Sequence, residues 1–173
     1  LVFAELRDRL QDLLASYHLH GDVDEGPFYR SVKQALEAIT GQSFDGSGVT
    51  IEPGSEPMVV IFAAHWCPHC QKEVPLIQDW IDDGNLPEGV QVNMVSTSVQ
   101  ADGTNYRPSG WLSDVGWSEQ ILLDNPDSTA ASAWGLTGYP YMVFVDGEGK
   151  VVQRASGELP IGQFEEFVAE IAP

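Results

Sequence analysis

Met58-Val59-Val60-Ile61-Phe62-Ala63-Ala64-His65-Trp66-Cys67-Pro68-His69-Cys70 is the stretch on which the fold turns. Its first seven residues are continuously apolar and rich in β-branched side chains, the pattern of a strand covered on both faces and so central in a sheet. Residues 68–82 then set Val74, Ile77, Trp80 and Ile81 on one side of a helix, with a kink expected at Pro75. A strand hands over to a helix at His65-Trp66-Cys67, and the two cysteines of the chain fall at that junction.

A bridge between residues three apart closes too short a loop to restrict the unfolded chain, so the pair reads as a redox dithiol or half of a metal site. A structural zinc needs four ligands, and only His65 or His69 could join the thiolates. Neither a metal nor an organic cofactor is therefore expected. At a helix start, free N–H groups and the macrodipole favour a thiolate, which makes Cys67 the nucleophile. Cys70, one turn on, is shielded yet near enough to resolve a mixed disulfide. A protonated His69 adds a positive charge beside Cys67 and pushes the pair toward oxidising. His65 reads as a solvated loop residue.

Outward from the junction, Val90, Val92 and Met94 alternate as a strand, and residues 100–119, with Tyr106, Trp111 and Trp117, read as an insertion rich in Gly and Pro. The three aromatics are expected to pack it onto the sheet. Residues 121–123 form a short strand and 127–134 a helix with an acidic start. Residues 141–145 and 151–155, joined by Asp146-Gly147-Glu148-Gly149-Lys150, form a hairpin. A last helix aligns Phe164, Phe167, Val168 and Ile171. Upstream, Leu6, Leu10, Leu13, Leu14 and Tyr17 make one helical stripe, and Phe28, Val32, Ala35, Leu36 and Ile39 a second, broken apart at 21–27. Residues 40–48 read as a loop and 49–51 as an edge strand. Two regions are expected: a helical extension, 1–48, packed on a domain, 49–173. His18 and His20 suit a helix C-terminus better than a metal.

Length and an apolar content of 43% suit one sizeable core. With 26 acidic against 8 basic side chains the formal charge is −18, which repels phosphate backbones and anionic membranes, so nucleic acid is no partner. No apolar run is long enough to span a bilayer. Leu1-Val2-Phe3-Ala4-Glu5 has neither an initiator Met nor a basic leader, and reads as a mature or trimmed start, compatible with a leader or anchor ahead of it.

The order β-α-β-α-β-β-α with a late hairpin is that of the thioredoxin fold, an α/β mixed sheet flanked by helices. Trp66-Cys67-Pro68-His69-Cys70-Gln71-Lys72-Glu73-Val74-Pro75 resembles the Trp-Cys-x-x-Cys-x-x-Glu-x-Pro signature of the TlpA/ResA-like thioredoxins, bacterial cell-envelope oxidoreductases. Gly135-Leu136-Thr137-Gly138-Tyr139-Pro140 is similar to the family segment that ends in a cis-proline facing the cysteines. The resemblance runs from about Val49 to Ile171. It implies that Pro140 is cis, that Tyr139 offers backbone groups to an extended substrate, and that Glu73 is a partly buried carboxylate moving protons during exchange. Ordinary thioredoxins carry a buried Asp six residues before the first cysteine; Ile61 stands there, leaving Glu73 as the acid-base group. Pro68 and His69 form the dipeptide of DsbA-type oxidases, whereas reducing members of the resembled group more often carry other pairs.

The expected function is extracytoplasmic disulfide exchange with protein thiols or disulfides, leaning to donation, the dithiol being reset by an unidentified redox partner. Catalysis is assigned to Cys67, Cys70 and Glu73, tuning to Trp66, Pro68 and His69, and substrate holding to Tyr139 and Pro140. A cell-envelope reductase and a binding module with vestigial cysteines are the alternatives. A thiol peroxidase is disfavoured, because this sequence has no Pro-x-x-x-Thr-x-x-Cys arrangement to bind peroxide.

Overall fold

The computed structural model describes residues 36–173. The helical stripes expected before Leu36, with His18 and His20, lie outside the described residues. Seven strands form one sheet in the order β2-β1-β5-β4-β3-β6-β7: β1 Ile39–Gln42, β2 Gly48–Ile51, β3 Met58–Ala63, β4 Gln91–Ser96, β5 Gln120–Leu123, β6 Tyr141–Val145 and β7 Val151–Ser156. β3 is flanked by β4, parallel, and β6, antiparallel. Its central place matches the sequence pattern, and no residue of β3 is more than 1% exposed. Burying a Val, Ile or Phe side chain contributes about 1.5–3 kcal/mol, so this strand anchors the sheet.

The two-residue period of β3 divides the core. Val59, Ile61 and Ala63 join Val92, Met94, Met142 and Phe144 on one face, under α1 (Pro68–Asp82) and α4 (Ile161–Ile171). Met58, Val60 and Phe62 join Val143, Val145 and Trp134 on the other, beside α3 (Thr129–Ala133). Ile61 therefore lies on the face that also holds Cys67 and Cys70.

Several expectations change. Ile39 is in a strand, not a helix: β1 pairs antiparallel with β2 and touches β5, so sheet structure begins before residue 49, within what was read as helix and loop. The insertion contains a helix, α2 (Pro108–Val115), with Pro108 in its first turn and Gly116 at φ 77° beyond its end. That bracketing is a sequence signal for a helix. Trp111 and Trp117 are buried in the core while Tyr106 stays exposed, so packing accounts for two of the three aromatics. The start of α3 is held not by Asp127 but by Asp124, whose two carboxylate oxygens accept the N–H groups of Ala130 and Ala131 at 3.0 and 3.1 Å. Pro75 lies inside α1, which runs on unbroken to Asp82.

Candidate active site

Cys67 is the N-cap of α1, in an extended conformation (φ −76°, ψ 120°). Its N–H bonds Ala64 O at 3.0 Å, and its Sγ accepts the N–H of Cys70 at 3.4 Å. Pro68, lacking an N–H and with φ preset, suits the first helical turn. The sulfur thus faces the free N–H end of the helix, where negative charge is favoured. Both cysteines are free thiols and both are buried. Burial pushes the Cys70 thiol far up, and the neighbouring Cys67 and Glu73 charges push it further. Cys70 therefore holds its proton until a base removes it.

Glu73 lies three residues beyond Cys70 and is 3% exposed. Its Oε1 accepts the Leu159 N–H at 2.8 Å, while Oε2 has no hydrogen-bond partner among the described residues. Burial raises the carboxyl to about 7; the Leu159 N–H opposes the rise and the Glu158 charge adds to it. A carboxylate placed here only by the helix dipole would stay in water. Buried and poised near neutrality, this one is suited to carrying a proton.

The Tyr139–Pro140 bond, immediately ahead of β6, is cis. Pro140 O accepts the Gly157 N–H at 2.8 Å, but the N–H and C=O of Tyr139 have no backbone partner among the described residues. Trp66 and Tyr139 meet edge to face, centroids 5.7 Å apart. Ser98, which sequence reading passed over, joins them. Its carbonyl accepts the Trp66 indole N–H at 2.7 Å, and its hydroxyl lies 2.5 Å from the Tyr139 hydroxyl. Nothing in the pattern around Ser98 marks it; its φ of 49° does.

His65 is buried, not solvated. Nδ1 donates to Thr104 O at 2.6 Å and Nε2 accepts the Gln100 N–H at 3.1 Å, a pairing that only the neutral ring protonated at Nδ1 can make. Gln71 Nε2 adds bonds to His65 O at 2.8 Å and Thr104 Oγ1 at 3.1 Å. The insertion is thereby stapled beside Trp66. Both ring nitrogens of His65 are engaged, so it offers no lone pair to a metal at the thiols.

His69 is exposed and turns to Glu158, Nδ1 to Oε1 2.7 Å; Lys72 Nζ bonds the other oxygen. The hydrogen bonds from Lys72 and His69 hold the Glu158 carboxyl below its usual range. Glu158, distant in sequence, was not among the predicted site residues, and its carboxylate offsets the His69 charge on which the expected oxidising bias depends.

A family model described as a thioredoxin-like domain matches residues 45–172. The thiol-disulfide oxidoreductase ResA of Bacillus thuringiensis subsp. konkukian is 23% identical over 132 residues, 76% of this chain and 68% of ResA. The thiol:disulfide interchange protein HelX of Rhodobacter capsulatus is 32% identical over 101 residues, 58% of this chain, which spans about half of HelX (52%). The crystal structure of StoA from Bacillus subtilis matches with a TM-score of 0.63 at 18% identity, covering 77% of this chain and 98% of StoA. With most of its length inside that family model, the chain belongs to the thioredoxin-like family and is a thiol-disulfide oxidoreductase similar to ResA.

Proposed function

We propose that the protein exchanges disulfides with protein substrates outside the cytoplasm through Cys67 and Cys70, with Glu73 as proton carrier. The observation that carries this is a dithiol at a helix N-cap next to a buried carboxylate raised to about 7. In the donating direction a substrate thiolate attacks Cys67 Sγ of the oxidised pair. The Cys67–Cys70 bond breaks, and Cys70 leaves as a thiolate that takes the Glu73 proton. A second substrate thiolate then attacks the substrate sulfur of the mixed disulfide, and Cys67 leaves as the favoured helix-start thiolate. The reducing direction is the reverse. Tyr139 and Pro140 hold the extended substrate segment, and the Tyr139 N–H and C=O, without a backbone partner among the described residues, support that role. Trp66, Pro68 and His69 tune the couple. The extracytoplasmic setting rests on the TlpA/ResA resemblance, and a separate redox partner resets the dithiol. Among the described residues no helix is long and apolar enough to cross a membrane.

The Pro-His dipeptide favours donation. A reductase is the second reading, favoured by Glu158, whose carboxylate lies 2.7 Å from His69 and balances its charge. Equilibration with glutathione separates them: a potential near about −120 mV marks a donor, and one near about −270 mV a reductant. Exchange itself is tested by Cys70→Ala, which traps protein partners covalently. No trapped partner, with Cys67→Ser leaving thiol-oxidising and disulfide-reducing activity intact, refutes the proposal and leaves the binding-module reading.

A further inference from the structure

We infer that Glu158 is a positioning residue for the Cys67–Cys70 couple, its carboxylate restraining how oxidising the pair is by drawing His69 and Lys72 to itself. The inference rests on the exchange reading above and adds to it a residue that moderates how oxidising the couple is.

Residues 157–159 lie between β7 and α4 and bond four residues around the site. The Gly157 N–H bonds Pro140 O at 2.8 Å, next to the cis bond. The two Glu158 oxygens take His69 and Lys72, from successive turns of α1. The Leu159 N–H takes Glu73 Oε1. Gly157 has φ 85°, a conformation that favours glycine. One tripeptide thus connects the substrate-side proline, the dipeptide histidine and the proton carrier. The titratable and charged groups gathered here are Cys67, Cys70, His69, Lys72 and Glu73 of α1 and its cap, and Glu158 of the connection.

The direction of the effect follows from charge counting. With Glu158 ionised, His69 and Glu158 together carry between −1 and 0, whatever the imidazole does. With glutamine at 158 the pair carries between 0 and +1. At any fixed protonation state of His69, replacing Glu158 therefore makes the surroundings of Cys67 more positive by one charge. A positive field stabilises the reduced pair with its thiolate over the uncharged disulfide, which makes the couple more oxidising. Because His69 and Glu158 are partly in water the effect is moderate and weakened by salt.

The test equilibrates the protein with glutathione at low salt, at pH 5.5 and pH 8, and traps thiols by alkylation to count the oxidised fraction. Glu158→Gln is expected to shift the equilibrium constant about two- to fivefold toward a more oxidising couple. Glu158→Asp restores the original value, and high salt shrinks the difference. Lys72→Gln, which removes a cation, shifts the constant the opposite way. Unchanged constants in Glu158→Gln and Lys72→Gln overturn the inference while leaving exchange intact. A wild-type pair that does not equilibrate with glutathione at all overturns the exchange reading instead.

Discussion

The Leu159 N–H donates to Glu73 Oε1 across 2.8 Å, so a buried carboxyl is gripped on one oxygen while the other has no partner among the described residues. The bare oxygen is where a proton can reside, and burial lifts the group from 4.5 to about 7. In the unfolded chain the carboxyl ionises at its ordinary value. Between the two values the folded protein keeps a proton that the unfolded chain has lost, so stability falls as pH rises from about 4.5 to about 7. The loss amounts to about 3 kcal/mol at full ionisation. Glu73→Gln, which keeps an oxygen for Leu159, removes it. Urea unfolding of the reduced protein at pH 5 and pH 8 is expected to show a smaller difference for the variant than for wild type. Equal differences would mean that Glu73 is not raised.

The same carboxyl predicts a kinetic split. Cys70 is held protonated by burial, so its attack on a mixed disulfide needs a base, whereas Cys67 caps the helix start, six residues before Glu73. Resolution by Cys70 is expected to accelerate through pH 7 in wild type. Glu73→Gln loses that limb and slows resolution above pH 7 by about 100-fold. Formation of the mixed disulfide changes little. Rapid-quench measurement of the two steps against a model disulfide decides the point, and an equal fall in both would assign Glu73 a structural role.

Much of this site was legible because its parts are local in sequence. The apolar run into Cys67, the three-residue spacing and Glu73 in the next turn all sit on one strand and one helix, where periodicity and capping rules apply directly. Pro140 was legible through motif resemblance. The unread parts come from contacts across long stretches of chain. Glu158 reaches His69 over 89 residues and Ser98 reaches Tyr139 over 41, and no periodicity encodes either. His65 was misread for the same reason, since its partners Gln100 and Thr104 lie in the insertion. β1 was hidden by Leu36 and Ile39, whose spacing fits a helix as well as the approach to a short strand.

His65 predicts how firmly the insertion is held. His65→Ala removes a buried ring and its two hydrogen bonds, to the Gln100 N–H and the Thr104 carbonyl, each worth about 0.5–1.5 kcal/mol. Loosening is expected first in residues 100–104, which lose their staple, while the strands keep their ladders. Hydrogen exchange should show faster exchange at the Gln100 and Gly103 amides, with β3 and β4 unchanged. Uniform loss of protection across the sheet would place His65 in the global core instead.

Gly103 and Gly110, both in the insertion, should respond to alanine in opposite directions. A Cβ on Gly103 would stand 2.8 Å from Trp66 Cβ, 3.1 Å from His65 Cε1 and 3.3 Å from Gln100 O. None of these is the free end of a flexible side chain, because His65 is held at both ring nitrogens and the Trp66 indole is tied to Ser98. Gly103→Ala must therefore push the insertion off the residues that precede Cys67, at about 1–3 kcal/mol. A Cβ on Gly110, inside α2, meets nothing within 4 Å. Gly110→Ala is accordingly expected to stabilise by about 0.5–1 kcal/mol through helix propensity alone. Thermal unfolding measures both signs. In the Gly103 variant the displaced loop also uncovers the junction, so Cys67 should be alkylated faster than in wild type. An unchanged alkylation rate would show that the loop yields without disturbing Trp66, and that the insertion does not govern access to the nucleophile.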